Sequence, residues 1–217
     1  MLVENSAGAI AEAAARGFGV ELDVQLSSDG EAMVFHDYDL DRLTVEQGPV
    51  AGRTAAELQA IRLYVGREVM PRLSEALRTI AGRVPLLIEI KSRERRADGL
   101  CRAVARALDG YQGSVGVMSF NPEAGAWFAR HLPRALRGLV VTEEGKKGIR
   151  GRLERRLALW RARADFLAYD VRDLPSRFAA AARSRGLPVY TWTVRSDSDR
   201  ARAADHADQM IFEAPPA

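Results

Sequence analysis

A single cysteine, Cys101, and only three histidines occur among the 217 residues. One thiol excludes an internal disulfide and leaves no companion for a thiolate zinc site, which fits a reducing compartment and, as an expectation, the cytoplasm. No apolar run approaches the roughly 20 residues needed to span a bilayer, and no signal peptide is visible. Glycine-rich phosphate loops of the two common types are missing too, so a Rossmann or P-loop nucleotide site has little support. Charge of one sign is also in short supply: 32 Lys and Arg face 29 Asp and Glu, a net +3, with a pI of about 9.3. The arginines are spread among acids along helical stretches. That pattern describes solvated helix faces, and no nucleic-acid partner is expected.

What remains is an ordinary globular composition, 47% hydrophobic and 28% charged, suited to one domain over residues 1–217. Strand-like runs alternate with amphipathic helical stretches: VELDVQ (20–25), PLLIEIK (85–91), SVGVMSF (114–120), GLVVT (138–142), DFLAYD (165–170), PVYTWTV (188–194) and QMIFE (209–213). Helix punctuation lies between them. Thr54 and Glu57 form a capping box, Ser74 is placed to cap the helix entered from Pro71, and Asn121-Pro122 is an N-cap with proline in the first turn. Gly186 closes the helix that begins near Pro175. Strands joined by helix-length crossovers make a parallel sheet, and a (β/α) barrel is the expected α/β fold. EAMVFHD (31–37) breaks the alternation, because the four residues Ser27-Ser28-Asp29-Gly30 can turn a hairpin but cannot make a parallel crossover. It is expected to be a short antiparallel arm carrying His36. Seven wall strands remain, one short of a closed TIM-type (β/α)8 barrel.

In VELDVQL, Glu21 and Asp23 project from one face while Val20, Leu22, Val24 and Leu26 bury the other. PLLIEIK repeats the device, with Glu89 and Lys91 at the strand exit, where barrel enzymes place their reacting groups. Three carboxylates on neighbouring strands, with no Cys or His spaced for zinc, suit a hard divalent cation such as Mg²⁺, Ca²⁺ or Mn²⁺. The cation would also cancel the repulsion between Glu21 and Asp23. Lys91 adds a place for an anionic group such as a phosphoryl oxygen, and His36 suits general acid or base work near neutral pH. Each of these acids alone is more simply a solvent-facing residue. In a parallel sheet with both faces buried, the group of five is better read as a site. Trp192 is equally well core or the wall of a substrate pocket. His131 and His206 lie in helical stretches and are expected at the surface. The basic stretch EEGKKGIRGR (143–152) is expected to be a solvated loop, with contact to anionic lipid the alternative.

Taken in order, Glu4-Asn5, Glu21-Leu-Asp23-Val, Asp29-Gly30, Val34-Phe35-His36-Asp37, Leu40, Arg42-Leu-Thr44, Leu87-Ile-Glu89-Ile-Lys91, Ser119-Phe120 and Tyr190-Thr-Trp192-Thr resemble the blocks of the glycerophosphodiester phosphodiesterase family. The resemblance implies a phospholipase-C-like TIM barrel and metal-dependent hydrolysis of glycerophosphodiesters to glycerol 3-phosphate and an alcohol. It implies that Glu21, Asp23 and Glu89 are metal ligands for Mg²⁺ or Ca²⁺, that His36 is an acid/base and that Lys91 holds phosphate. The family's first strand, ending in His-Arg-Gly with a second catalytic histidine, has no counterpart in residues 1–217, which matches the strand missing from the count. Competence is therefore expected only of a longer form. A barrel binding an anionic ligand or partner without catalysis, and a related phospholipase forming a cyclic phosphate, are the alternative expectations.

Overall fold

The alternation of Val20, Leu22, Val24 and Leu26 with polar residues becomes strand β1, Val20–Leu26, in the computed structural model, which describes residues 2–64, 68–92 and 97–213. The chain divides into two units, Met1–Val117 and Met118–Ala217. In the first, Ser6 caps helix α1, Ala7–Ala15, by accepting from the Ala9 amide at 3.2 Å. The hairpin at 27–30 turns the chain as its length requires. The Ser27 amide donates to the Glu31 carbonyl at 3.0 Å, and Gly30 takes φ +83°, which a side chain would oppose. The arm follows as β2, Ala32–Val34, antiparallel to β1 with Val24 opposite Val34. Helices α2, Ala55–Ala60, and α3, Leu73–Ile80, lead to β3, Leu86–Ile90, which runs parallel to β1.

Met33 and Phe35 are fully buried in a cluster with Leu40, Val50, Leu58 and Met70, which anchors the arm by apolar burial rather than by its three-residue ladder. Burying each such side chain contributes roughly 1.5–3 kcal/mol. The Thr54 capping box forms as expected. Ser74 does not cap: α3 starts two residues before the position its cap implies, because the Glu75 carboxylate reaches the Arg72 amide at 2.8 Å. Helix α4, Asp98–Ala107, and strand β4, Val115–Ser119, complete this stretch.

The second unit repeats β and α in alternation. Helix α5, Pro122–His131, starts on the expected Asn121-Pro122 cap, and β5, Leu136–Val141, follows. Then come α6, Ile149–Ala162, β6, Phe166–Asp170, α7, Arg177–Arg183, β7, Val189–Val194, α8, Asp197–His206, and β8, Gln209–Phe212. Strands β5, β6, β7 and β8 pair in that order, all parallel. Every residue of β6 is buried, as a parallel strand covered on both faces requires. Gly186, at φ +82°, ends the turn after α7. The stretch 143–152 is only partly a loop, since Ile149 to Arg152 already form the first turn of α6. All seven expected wall runs thus contain a strand, and the eighth strand is the arm. Among the described residues no helix is long and apolar enough to cross a membrane.

Candidate active site

Parallel pairing sets Asp23 of β1 opposite Glu89 of β3, and Glu21 opposite Leu87. Glu21 is the second and Asp23 the middle residue of the seven in β1. The arm prolongs the strand, since Val24–Leu26 pair with β2 while only Val20–Val24 pair with β3. Within the parallel part, Asp23 is therefore the last polar position before the exit. One carboxylate oxygen from each of Glu21, Asp23 and Glu89 can be chosen so that all three lie within 4.8 Å of one another. Asp23 and Glu89 are buried and Glu21 is half-buried.

Lys91 Nζ lies 3.0 Å from Asp23 Oδ1 and 2.8 Å from Glu89 Oε1. The repulsion that raised the expectation of a cation is thus relieved in this structure by a side-chain ammonium. Burial alone would lower the lysine's pKa, but the Asp23 and Glu89 carboxylates outweigh it and hold the ammonium above its usual range. Glu89 moves upward. Burial is the chief cause, Asp23 adds to it, and Lys91 opposes it. Although an ion pair reaches Glu89 Oε1, the atom is buried and accepts no aligned hydrogen bond. Three carboxylates converging on one point around a single ammonium leave acceptor oxygens in excess, a donor set that fits a hard cation.

Two residues outside the carboxylate set hold this arrangement in place. The Asn5 amide group donates to Asp23 Oδ2 at 2.9 Å, and its Oδ1 accepts from the Asp23 backbone at 3.0 Å. Gln25, third on the Glu21–Asp23 face, donates through Nε2 to the His36 and Asp37 carbonyls, each at 3.0 Å. The buried polar face of β1 therefore reaches from the acid cluster to the loop that bears His36.

His36 stands just past β2, with its side chain about half exposed. Its Nδ1 is 2.6 Å from Asp37 Oδ1. Asp37 is held in turn by Arg42, with Nη2 at 3.0 Å from Oδ1, and Arg42 also pairs with Glu4. The Arg42 hydrogen bond is the main reason the Asp37 carboxyl sits below its usual pKa, and the hydrogen bond from His36 adds to this. An ionised Asp37 only accepts, so Nδ1 carries the hydrogen and Nε2 is left to give or take a proton. Asn5, Glu4 and Arg42 belong to the blocks that carry the family resemblance, but nothing in their spacing announced these contacts.

Trp192 belongs to the second unit. It is half-buried on β7, its indole N–H donates to the Ala168 carbonyl at 2.9 Å, and its ring meets Phe120 edge-on at 5.6 Å between centroids. His131 is exposed and stacks on Trp127 at 4.2 Å, as a surface residue can. His206 is half-buried.

Parallel strands alternating with helices, with acids and a lysine converging on the paired strands β1 and β3, describe an α/β barrel enzyme of the TIM class. The chain belongs to the glycerophosphoryl diester phosphodiesterase family, whose model matches residues 1–212, and this places it among the phosphoric diester hydrolases. A glycerophosphodiester phosphodiesterase of Caldanaerobacter subterraneus is 26% identical over 197 residues, covering 85% of this chain and 76% of the relative. An Oleispira antarctica phosphodiesterase, solved in complex with the product sn-glycerol-3-phosphate, superposes with a TM-score of 0.82 at 23% identity, covering 96% of this chain and 86% of that one. A glycerophosphodiester phosphodiesterase of Thermotoga maritima gives 0.76 at 24% identity, covering 97% and 88%. At these identities the solved structures establish the fold, the TIM-type barrel expected from the strand pattern.

Proposed function

We propose that residues 1–217 form a single barrel domain of an enzyme that hydrolyses glycerophosphodiesters to glycerol 3-phosphate and an alcohol. The observation that carries the reading is the convergence of Glu21, Asp23 and Glu89 within 4.8 Å. These three residues would hold a divalent cation, Mg²⁺ or Ca²⁺. When bound, such an ion offsets charge on the phosphoryl oxygens. Lys91, already charged and nearly buried, binds a phosphoryl oxygen beside them. Asn5 keeps Asp23 in one rotamer, so the ligand set does not have to be ordered when the ion arrives. His36, with Nδ1 committed to Asp37, moves a proton at Nε2: it gives one to the leaving alkoxide as the phosphorus–oxygen bond breaks, and regains one from the water whose oxygen takes that place on phosphorus. The buried thiol of Cys101 supports a reducing compartment, the cytoplasm.

The test is release of glycerol 3-phosphate by the natural full-length protein from glycerophosphocholine and glycerophosphoethanolamine with Mg²⁺ or Ca²⁺. Release abolished by EDTA and restored by the cation is expected. No EDTA-sensitive release from any head group overturns the reading, and a cyclic phosphate seen by phosphorus NMR replaces it with a transferase-type reaction.

A further inference from the structure

Helix α6 carries a stripe of large apolar side chains on its outer face. Ile149, Leu153, Leu157 and Trp160 are 76, 54, 65 and 75% exposed. Their spacing of four, four and three residues puts them on one face of the helix. The opposite face, Gly151, Arg155 and Ala162, is buried. It is fixed in place: Ala162 packs so closely on Gly125 of α5 that a Cβ there would come within 2.5 Å of the Ala162 carbonyl. Arg155 donates to the Lys146 carbonyl at 2.9 Å and pairs with Glu143. The outward stripe is therefore held rigidly toward solvent.

Charge surrounds the stripe. Residues 146–163 contain eight lysines and arginines against the single Glu154. By helical position, Arg152 and Arg156 flank one side of the stripe, and Arg150 and Arg161 flank the other. Arg150 and Arg161 pair with Glu154 and Glu123, whereas Arg152 and Arg156 enter no ion pair among the described residues. The first turn of α6 has no acid and two arginines, which opposes the helix dipole. Beside Leu157 and Trp160 runs a groove of about 370 Å³, lined also by Pro122 and Ala158.

We infer that α6 docks on the surface of an anionic lipid bilayer. Ile149, Leu153, Leu157 and Trp160 enter the headgroup boundary, and the flanking arginines meet lipid phosphates. A tryptophan at the end of an apolar stripe with arginines on both sides is the composition of an interfacial helix. A second copy is the poorer occupant, since a two-fold contact through this face would bring the same arginines together. The helix lies on the membrane and does not cross it.

Flotation of the full chain with vesicles of equal parts phosphatidylcholine and phosphatidylglycerol tests this, against vesicles of phosphatidylcholine alone. Binding to the anionic vesicles, weakened by salt, is expected, with a blue shift of emission that Trp160→Phe diminishes. Leu153→Ser with Leu157→Ser should abolish binding, and Arg152→Gln with Arg156→Gln should weaken it roughly fivefold per charge. All four positions are exposed, so unchanged thermal melts are expected to show that the variants fold. Equal binding to both vesicle types, no binding to either, or undiminished binding by the variants overturns the inference. A dimer in solution that the Leu→Ser pair dissolves would assign the stripe to a second copy instead.

Discussion

Asn5 and Asp23 are joined twice, side chain to side chain at 2.9 Å and backbone amide to side chain at 3.0 Å. Asn5 does this from a left-handed backbone, φ 60°, which asparagine tolerates better than most residues. A residue 18 positions upstream thereby sets the rotamer of a buried carboxylate.

Replacing Asn5 separates these two contributions. Asn5→Gly keeps the backbone comfortable but removes both hydrogen bonds, and about 1–2 kcal/mol of stability should go with them. Asn5→Ala should cost roughly 1 kcal/mol more, from the left-handed conformation. Both variants should bind Mn²⁺ or Mg²⁺ about 10–100-fold more weakly. Urea denaturation and calorimetric titration read the two effects, and a stability loss without any change in metal affinity would make Asn5 purely structural.

Lys91 neutralises Asp23 and Glu89 together. Lys91→Met leaves two buried carboxylates uncompensated, and the metal-free protein should lose about 3–5 kcal/mol. A divalent cation should return part of that loss by binding between the acids. Melting curves with EDTA and with Mg²⁺ decide it: equal destabilisation in both would argue against a cation at this site.

The Arg42–Asp37–His36 chain predicts that Asp37→Asn harms turnover more than substrate affinity. His36 would keep its place through Gln25 but lose the acceptor-only carboxylate that fixes its tautomer, since an amide can also turn its N–H toward Nδ1. His36→Ala should lower kcat by about 10²–10⁴-fold, and Asp37→Asn by a smaller factor with KM little changed. A fall in kcat/KM carried entirely by KM would place Asp37 in substrate binding instead.

Burial pushes the Cys101 thiol from 9.0 up to about 12. The sign follows directly: the unfolded thiol ionises near pH 9 while the folded one stays neutral, so stability present below pH 9 is lost as pH rises toward 12. Cys101→Ala should flatten that alkaline decline, as read by denaturation at a series of pH values. The native thiol should also resist alkylation until the protein unfolds.

Periodicity alone located the strands and the hairpin arm. Alternation over 20–26 leaves β1 one arrangement that buries its aliphatics, and a four-residue link cannot make a parallel crossover. The same alternation placed Glu21, Asp23 and Gln25 on one face, and the β3 pattern did so for Glu89 and Lys91. Only tertiary structure decided what those side chains do. The register of β1 on β3 set Asp23 opposite Glu89, and a chain reversal brought Asn5 back to Asp23. The expected cap at Ser74 lost to Glu75, whose longer side chain reached the Arg72 amide first. The stretch read as a basic loop became a helix turn with an outward apolar stripe, because Gly151 and Ala162 let the other face of α6 pack closely. Periods of two and of 3.6 report which residues share a face, whereas register, caps and the choice of buried face depend on partners distant in the chain.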